Sequence, residues 1–367
     1  MNIGFFIGEM NFRGVANSSY QYAYYNQTLL KNKSIIFYNK EEKFHKKEVI
    51  SKFKKKFKVI GVNGFKDMDH FGQKLNLDYI YVQKGGERDH NVSNRIKTLI
   101  HSLYPQNLKE IHGHKYVCVS EWLSKKFTNN KMPFLPYIVK LNKTKTNLKK
   151  NLQIKKNQIV FGCHGGENSF DIEFVRQTLL EIAKKRKVVV FLFLNIKKFC
   201  KHPRIIFLKG TFNEIYKKKF INSCDAMIYG RSLGESFGLA CAEFTSQGKK
   251  IFSYKFIKHK SHIYNLSKKN FEEYSSRKNL LKLLSNFKKE KSFNFYTRNK
   301  YSNYTPKKIM KIFNDVFFKD TPYIKLSTFD HFVNFVSFLK MRYQYFRHKI
   351  YIFYYRYFES KFINLKD

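Results

Sequence analysis

The stretch CDAMIYGRSLGESFGLACAEFTSQGKKIFSY, from Cys224 to Tyr254, has the pattern of a strand, a loop, a helix and a second strand. The runs DAMIYG and KKIFSY are short, apolar and bounded by turn residues, as buried strands are. Between them, the small residues of GESFG end a loop and begin a helix. A unit of this kind is the repeating element of a parallel α/β sheet.

Two glutamates, Glu235 and Glu243, flank the predicted start of this helix. Only 27 of the 367 residues are Asp or Glu, and no basic residue lies between these two glutamates. The first N–H groups of a helix have no partner within the helix and, together with the helix dipole, attract anions. Ligands of α/β proteins also bind at the carboxyl ends of parallel strands. The pattern predicts a ligand site, and two unrelated surface charges at a helix end are the simpler alternative.

Strands and helices also alternate on both sides of this stretch. Near the N-terminus, the apolar run Asn2–Gly8 predicts a strand, and Ser18–Leu30 predicts a helix with a serine as its cap. The polar, lysine-rich segment Val139–Gln158 interrupts the pattern, which restarts at Ile159–Gly166. A chain of 367 residues is long enough for two domains. We therefore expect an α/β protein of two Rossmann-like, doubly wound domains that face a cleft, with a C-terminal amphipathic helical extension.

Changes in composition give the expected domain boundaries. The predicted segments are an N-terminal domain (1–141), a linker (142–157), a second domain (158–303), a helix that can pack back on the first domain (304–319) and a basic, aromatic helical tail (320–367).

The tail has apolar residues at spacings of three and four, which predicts one face of a helix. These residues are Phe332, Val336, Leu339, Tyr343, Phe346, Ile350, Phe353 and Tyr357. Basic residues lie among them. Such a helix fits either an anionic membrane interface or a place against the body of the protein, and the sequence leaves both open.

The charge of the chain is strongly positive. Lys and Arg number 71 against 27 Asp and Glu, which gives a formal net charge of +44. This excess attracts polyanions such as nucleic acid, anionic membranes and phosphorylated substrates. Because the lysines are spread along the chain, the charge does not single out one of these partners. The hydrophobic fraction of 43% indicates a folded protein.

The cysteine pattern and the N-terminal sequence indicate in which cellular compartment we expect the protein. Five cysteines without a C-x-x-C pair argue against a disulfide framework and a zinc ribbon. The N-terminus lacks the basic leader of a signal peptide, and the longest apolar run, Val188–Leu194, is far shorter than the roughly 20 residues of a membrane span. We expect a cytoplasmic protein that becomes peripheral on the membrane if its tail binds there.

The segment GESFGLACAEFTSQGKKI resembles the E-G-F-G-L-x-x-x-E-A-x-A-x-G-x-P-V signature of the glycosyl transferase group 1 family. Members of that family are GT-B-fold enzymes that use nucleotide-diphosphate sugars and retain the anomeric configuration. The resemblance covers about residues 1–318. It implies transfer of a sugar to a glycan or a lipid-linked acceptor, with no metal and no cofactor besides the nucleotide-sugar co-substrate.

Outside the signature the resemblance depends on position in the chain. GEMNFRGVANSSYQYA (Gly8–Ala23) is in the place of the family's first glycine loop. TLIHSLYP (Thr98–Pro105) is similar to its strand that ends in a cleft histidine. FGCHGGENSF (Phe161–Phe170) is where the second domain's first loop meets the diphosphate.

The resemblance also implies roles for individual residues. Glu235 would contact the hydroxyls of the transferred sugar, and Glu243 would accept hydrogen bonds from the ribose. His101 would act on the acceptor side as a second catalytic residue, and Arg13 and Gly14 would line the acceptor pocket. The remaining implied donor-binding residues are Ser236, Phe237, Gly238 and Leu239 at the helix start, with His164, Gly165, Gly166 and Arg231 near them.

One part of the family pattern is missing. The family usually has an Arg and a Lys about five residues apart in the second domain's first loop, where they neutralise the diphosphate. Here that loop is CHGGENSF, in which His164 can replace the Arg but no Lys follows. Arg231, or Lys197 and Lys198, could supply the charge instead, and the sequence does not choose between them.

Two further functions are compatible with parts of the sequence. A non-catalytic GT-B-like protein that binds glycans or acts as a scaffold would keep the fold without turnover. A basic nucleic-acid-binding protein would account for the net charge, but the two glutamates would repel a phosphate backbone. The expected partners are therefore a nucleotide-sugar donor and its acceptor, with no specific nucleic acid.

Overall fold

A computed structural model describes residues 1–140, 146–289, 299–319 and 324–359. The chain divides into two compact units, one made of Met1–Val139 with Asn303–Phe338 and the other of Lys140–Ser302 with Leu339–Asp367. Parts of four predicted segments lie outside the described residues: 141 of the first domain, 142–145 of the linker, 290–298 of the second domain, and 320–323 and 360–367 of the tail.

The first unit alternates strands and helices. Its first elements are β1 (Asn2–Ile7), α1 (Gly14–Thr28), β2 (Lys33–Asn39), α2 (Lys47–Lys54), β3 (Lys58–Val62), α3 (Met68–Lys74), β4 (Tyr79–Lys84), β5 (Lys97–Ser102), β6 (Lys115–Cys118) and α4 (Glu121–Phe127). The strands form one parallel sheet in the order β3-β2-β1-β4-β5-β6. Strands β2 and β3 follow one another on one side of β1, and β4, β5 and β6 follow on its other side.

The second unit repeats this plan. Its elements are β7 (Ile159–His164), α5 (Glu173–Lys185), β8 (Val189–Leu194), β9 (Ile205–Leu208), α6 (Glu214–Ser223), β10 (Ala226–Tyr229), β11 (Gly234–Glu235), α7 (Leu239–Ser246), β12 (Lys250–Tyr254), β13 (His259–Lys260), α8 (Ser261–Asn265), β14 (Phe271–Tyr274) and α9 (Arg277–Asn286). Its parallel sheet has the order β14-β12-β10-β7-β8-β9, and β11 pairs with β13 separately.

The burial of the strands explains why both sheets are parallel. All six residues of β8 are buried, and five of the six in β1 are buried. Strands that are apolar on both faces need helices on both sides, which the crossover connections of a parallel sheet supply. The two doubly wound sheets predicted from the sequence are confirmed.

The start of α1 differs from the prediction. The helix begins at Gly14, four residues before Ser18, and its N-cap residue, Arg13, makes no capping hydrogen bond with its side chain. The hydroxyl of Ser18 instead donates to the carbonyl of Val15 and contacts the side chain of Gln83 on β4 at 3.0 Å. The serine therefore ties the helix to the sheet and does not cap it.

Helix α10 (Pro306–Phe318) belongs to the first unit, although it follows the second unit in the sequence. Its Phe313 is fully buried. The ring of Phe313 stacks on Tyr22 of α1 at a centroid distance of 5.6 Å and lies 5.5 Å from Tyr81 of β4. The C-terminal part of the chain thus completes the core of the first unit.

The last long helix, α11 (Thr328–Tyr354), continues into a π-helical turn at Tyr355–Glu359. Its residues up to Phe338 belong to the first unit and those from Leu339 to the second. One side of it is buried, where Asn334 donates to the carbonyl of Phe127 at 2.8 Å. Packing on the protein, one of the two alternatives for the tail, is thus observed for this side. Among the described residues, no helix is long and apolar enough to cross a membrane.

Phe313→Ala should lower the free energy of unfolding by about 3–5 kcal/mol, because it removes a fully buried ring from the core of the first unit. Urea unfolding followed by circular dichroism measures this loss. Phe44→Ala is the matched control, since Phe44 is 64% exposed and its loss should change stability by less than about 0.5 kcal/mol. Equal effects of the two changes would show that α10 does not pack in this core.

Candidate functional site

The candidate site lies at the carboxyl ends of β7 and β10, which are neighbours in the second sheet. The chain leaves β7 toward β8 on one side and later returns with β10 on the other side. The loops after these two strands therefore run in opposite directions and leave a crevice, which is where open α/β sheets bind ligands. His164 is the last residue of β7, and Tyr229 is the last residue of β10.

Glu235 is held by two donors from its own segment of the chain. The hydroxyl of Tyr229 donates to Oε1 of Glu235 at 2.8 Å, and the guanidinium of Arg231 donates to the same oxygen at 3.1 Å. Burial raises the pKa of the Tyr229 hydroxyl well above its usual value, and Glu235 adds to this. Tyr229 therefore keeps its proton and remains a donor. In the described part of the chain no side chain donates to the other oxygen of Glu235, Oε2.

The loop that carries Glu235 is fixed to the rest of the unit at Ser232. Both the backbone N–H and the hydroxyl of Ser232 donate to the carboxylate of Asp171, each at 2.7 Å. Asp171 itself donates its N–H to the carbonyl of Gly230. These bonds connect the loop after β10 to the segment that leads into α5.

Gly238 makes the turn into α7. Its φ of 90° and ψ of 52° lie in the left-handed region, which glycine adopts without strain. A Cβ at this position would lie 2.6 Å from Cβ of His262 and 2.8 Å from the hydroxyl of Tyr301. Neither the N-cap nor an acidic side chain in the first turn satisfies the N–H groups of α7. The helix therefore begins with donors and a positive dipole end directed at the crevice.

Glu243, on α7, is held between two basic side chains. Its Oε1 accepts a hydrogen bond from the ammonium group of Lys217 on α6. Its Oε2 lies 2.9 Å from Nε2 of His164. Burial alone raises the pKa of Glu243, but Lys217 and then His164 more than offset it and lower the pKa to about 2. Glu243 is therefore a carboxylate at all ordinary pH values.

The other residues predicted for the donor side lie in the loops after β7 and β8 and just before α7. Gly165 and Gly166 follow β7, and the carbonyl of Gly165 accepts a hydrogen bond from Asn195 at 2.7 Å. Ser236 is half-buried directly after Glu235. The carbonyl of Phe237 accepts a hydrogen bond from Tyr301 at 2.8 Å. Lys197 and Lys198 are exposed in the loop after β8.

His101 differs from its prediction. The sequence places it on the acceptor side of a cleft, but its side chain is fully buried in the first unit. Its Nδ1 lies 2.7 Å from the hydroxyl of Tyr81, and the rings of Tyr22 and Tyr137 pack around it. Burial lowers the pKa of His101 to about 3. Its surroundings are those of a neutral core histidine, so the predicted exposure to a substrate is corrected.

Arg13 and Gly14 lie at the start of α1, at the carboxyl end of β1. The side chain of Arg13 is 60% exposed, and its guanidinium lies 3.5 Å from the carboxylate of Glu9. Apart from its chain neighbours and the backbone of its own helix, no atom of the described residues lies within 4 Å of a Cβ built on Gly14. Both residues are thus at the switch point of the first sheet, between β1 and β4.

Sequence reasoning missed Lys217 and Tyr229. Lys217 is the first of three consecutive lysines in α6, and nothing in the sequence distinguishes it from the other two. Tyr229 could have been found, because it is the last residue but one of the predicted strand DAMIYG, directly before the glutamate loop. Lys217 and Tyr229 both lie outside the family signature.

No family model matches this sequence, and no curated protein gives a significant match. Solved structures do match. A glycosyltransferase from Rickettsia africae is similar with a TM-score of 0.63 at 14% identity, over 87% of this chain and 99% of that one. The Anabaena protein HepE in complex with UDP and glucose has a TM-score of 0.65 at 11% identity, over 86% and 98%.

A third similar structure is a UDP-N-acetylglucosamine 2-epimerase, with a TM-score of 0.57 at 8% identity, over 89% of this chain and 99% of the epimerase. The predicted GT-B fold is confirmed by these neighbours, which agree with the resemblance to the glycosyl transferase group 1 family. At such identities the likeness concerns the fold, and the fold is shared by transferases and an epimerase.

Gly238→Ala should destabilise the protein by about 2 kcal/mol or more, because the added Cβ meets His262 in a backbone conformation that alanine disfavours. Gly14→Ala is the matched control. Its Cβ enters open space at a helix start, so the change should be neutral or stabilise by up to about 1 kcal/mol. Urea unfolding of both variants tests this, and equal stabilities would contradict the geometry of the turn.

The contribution of Glu243 to stability should depend on pH. Its pKa in the folded protein, about 2, is below the ordinary value of 4.5, so its contribution is complete above pH 4.5 and is lost as the pH falls toward 2. Glu243→Gln should therefore be less stable than the wild type by on the order of 3 kcal/mol at pH 7. This difference should shrink as the pH falls.

Urea unfolding of both proteins between pH 7 and pH 3 measures this difference. Glu87→Gln serves as the control, because Glu87 is exposed and its loss should matter little at any pH. A difference between wild type and Glu243→Gln that stays constant over this range would exclude the ion pairs of Glu243.

Proposed function

We propose that this protein is a glycosyltransferase that moves a sugar from a nucleotide-diphosphate sugar to a hydroxyl group of a glycan or a lipid-linked acceptor, with retention of anomeric configuration. One observation carries the proposal. The uncapped start of α7 lies at the switch point of the second sheet, with one anchored carboxylate before it and one within it. The resemblance of the signature to the glycosyl transferase group 1 family supports the same conclusion.

The diphosphate would bind at the start of α7. The N–H groups of Gly238 and Leu239 and the helix dipole favour an anion there, and the missing side chain of Gly238 lets it approach the backbone. Further positive charge would come from Arg231, His164 or the exposed lysines Lys197 and Lys198. Stabilising the leaving diphosphate is the main electrostatic task of such a site, because negative charge develops on the departing oxygen.

Glu243 would bind the ribose of the nucleotide. Each carboxylate oxygen has two lone-pair directions, so Oε1 can accept a further hydrogen bond beside the one from Lys217, and the Glu243 side chain is 18% exposed. The two basic partners fix the orientation of the carboxylate before the ligand arrives. Preorganisation of this kind reduces the entropy that binding costs.

Glu235 would orient the transferred sugar. Tyr229 and Arg231 anchor its Oε1, and its Oε2 would accept hydrogen bonds from sugar hydroxyls. In the reaction, the bond between the anomeric carbon and the diphosphate oxygen breaks, and its electron pair goes to the phosphate. The acceptor oxygen bonds to the anomeric carbon on the same face, and the proton of the acceptor hydroxyl goes to the departing phosphate.

We propose UDP as the nucleotide, since the similar structures include complexes with UDP and with UDP-glucose. A thermal-shift screen of UDP, GDP and ADP tests this choice, because the nucleotide that binds the folded state raises the apparent melting temperature. We also propose that Arg13 and Gly14 contribute to the acceptor pocket.

Glu235→Gln should lower the rate of sugar transfer by at least about 100-fold, because it weakens the positioning of the reacting sugar, while binding of the nucleotide alone should change little. Transfer is measured with the sugar nucleotide chosen by the screen and a panel of glycan and lipid-linked acceptors. The matched control is Glu272→Gln, another paired glutamate of the second unit that lies on β14, which should keep full activity.

Three outcomes would contradict the proposal. Unchanged turnover in Glu235→Gln would remove the assigned role of that residue. Binding of nucleotide without turnover of any donor would favour the non-catalytic alternative. Interconversion of UDP-N-acetylglucosamine with its 2-epimer in the absence of an acceptor would show that the protein is an epimerase.

A further inference from the structure

Helix α11 exposes an unusual amount of apolar surface. Eleven of the seventeen large apolar side chains that the described part of the chain exposes lie on α11 and on the π-helical turn after it. Phe346 and Phe353 are each 60% exposed, and Tyr343 is 58% exposed. Soluble proteins normally scatter such residues singly, and a contiguous group of them indicates an interaction surface.

These side chains form one line along the helix. At about 100° per residue, six of these side chains lie within an arc of about 80° around the helix axis. They are Leu339, Tyr343, Phe346, Ile350, Phe353 and Tyr357, and we call them the aromatic stripe. From first to last it is about 27 Å long at 1.5 Å per residue. All six residues belong to the second unit.

Basic residues border the aromatic stripe on both sides. At the same angle per residue, Lys340 and Arg347 lie along one edge, and Arg342, Lys349 and Arg356 lie along the other. All five basic residues are exposed. An apolar centre with positive charge along both edges is the arrangement of a helix that lies in the interface of an anionic bilayer.

The side of α11 opposite the stripe fixes its orientation. Met341, His348 and Tyr355 are buried there, and the ring of His348 lies 5.6 Å from that of Tyr254 on β12. The hydroxyl of Tyr351, on the flank of this side, accepts the N–H of Arg277 at 2.7 Å. Because these contacts hold the helix against the second unit, the stripe points away from it.

We propose that the aromatic stripe inserts into the headgroup region of an anionic lipid bilayer, with α11 lying parallel to the membrane plane. A bilayer fits this surface better than a protein partner, because positive charge lies on both edges of the stripe and a plane of anionic headgroups meets both edges at once. The net charge of +44 adds attraction at long range. The proposal does not depend on the proposed enzymatic activity.

Vesicle flotation with the full-length protein tests this proposal. The probes are vesicles of phosphatidylcholine alone and of phosphatidylcholine with phosphatidylglycerol. One variant, Phe346→Ser with Phe353→Ser, weakens the stripe, and another, Lys340→Gln with Arg342→Gln, weakens its edges. The matched controls are Phe44→Ser with Ile215→Ser for exposed apolar residues and Lys54→Gln with Lys55→Gln for exposed lysines.

The wild type should bind the anionic vesicles, bind the neutral vesicles far more weakly, and lose binding as salt rises. Each α11 variant should weaken binding to anionic vesicles by about tenfold or more, and the controls should not. Equal binding by the α11 variants and the wild type would overturn the proposal. So would sedimentation showing a wild-type dimer that the stripe variant makes monomeric, since a second copy would then cover the stripe.

Discussion

The parallel pairing of β10 with β7 is the constraint on which the candidate site depends. Because the chain leaves β7 on one side and reaches β10 from the other, the segments after the two strands open a crevice at their carboxyl ends. Strand β7 ends at His164, and the segment after β10 carries Glu235 and then α7. The sheet therefore brings together residues that are about 70 positions apart in the sequence.

The crevice combines buried, paired charges with a left-handed glycine turn at the start of a helix. Glu243 and its partners are mostly removed from water, and Gly238 adopts a conformation that other residues avoid. Each glutamate has a cation close by, so neither carboxylate would simply repel a diphosphate. Burial and paired charge at the start of a helix are typical of binding sites rather than of surface caps.

The sequence predicts the architecture well and the site in part. The continuous apolar runs of β1 and β8 are typical of buried parallel strands, and GESFG predicts the turn into α7. The sequence could not place Lys217, because its contact with Glu243 depends on how α6 packs beside α7. The sequence prediction also exposed His101 to a cleft, although the residue is fully buried. A histidine that is buried in an aromatic core has the same sequence pattern as one that lines a cleft.

The central claim is that the start of α7 and Glu243 together hold a nucleoside diphosphate. Isothermal titration calorimetry with UDP and with uridine, on the wild type and on Glu243→Gln, measures this most directly. The account predicts that UDP binds at least about tenfold more tightly than uridine, because only UDP brings an anion to the helix start, and that Glu243→Gln weakens both ligands. Equal affinity for UDP and uridine, or unchanged affinity in Glu243→Gln, would contradict it.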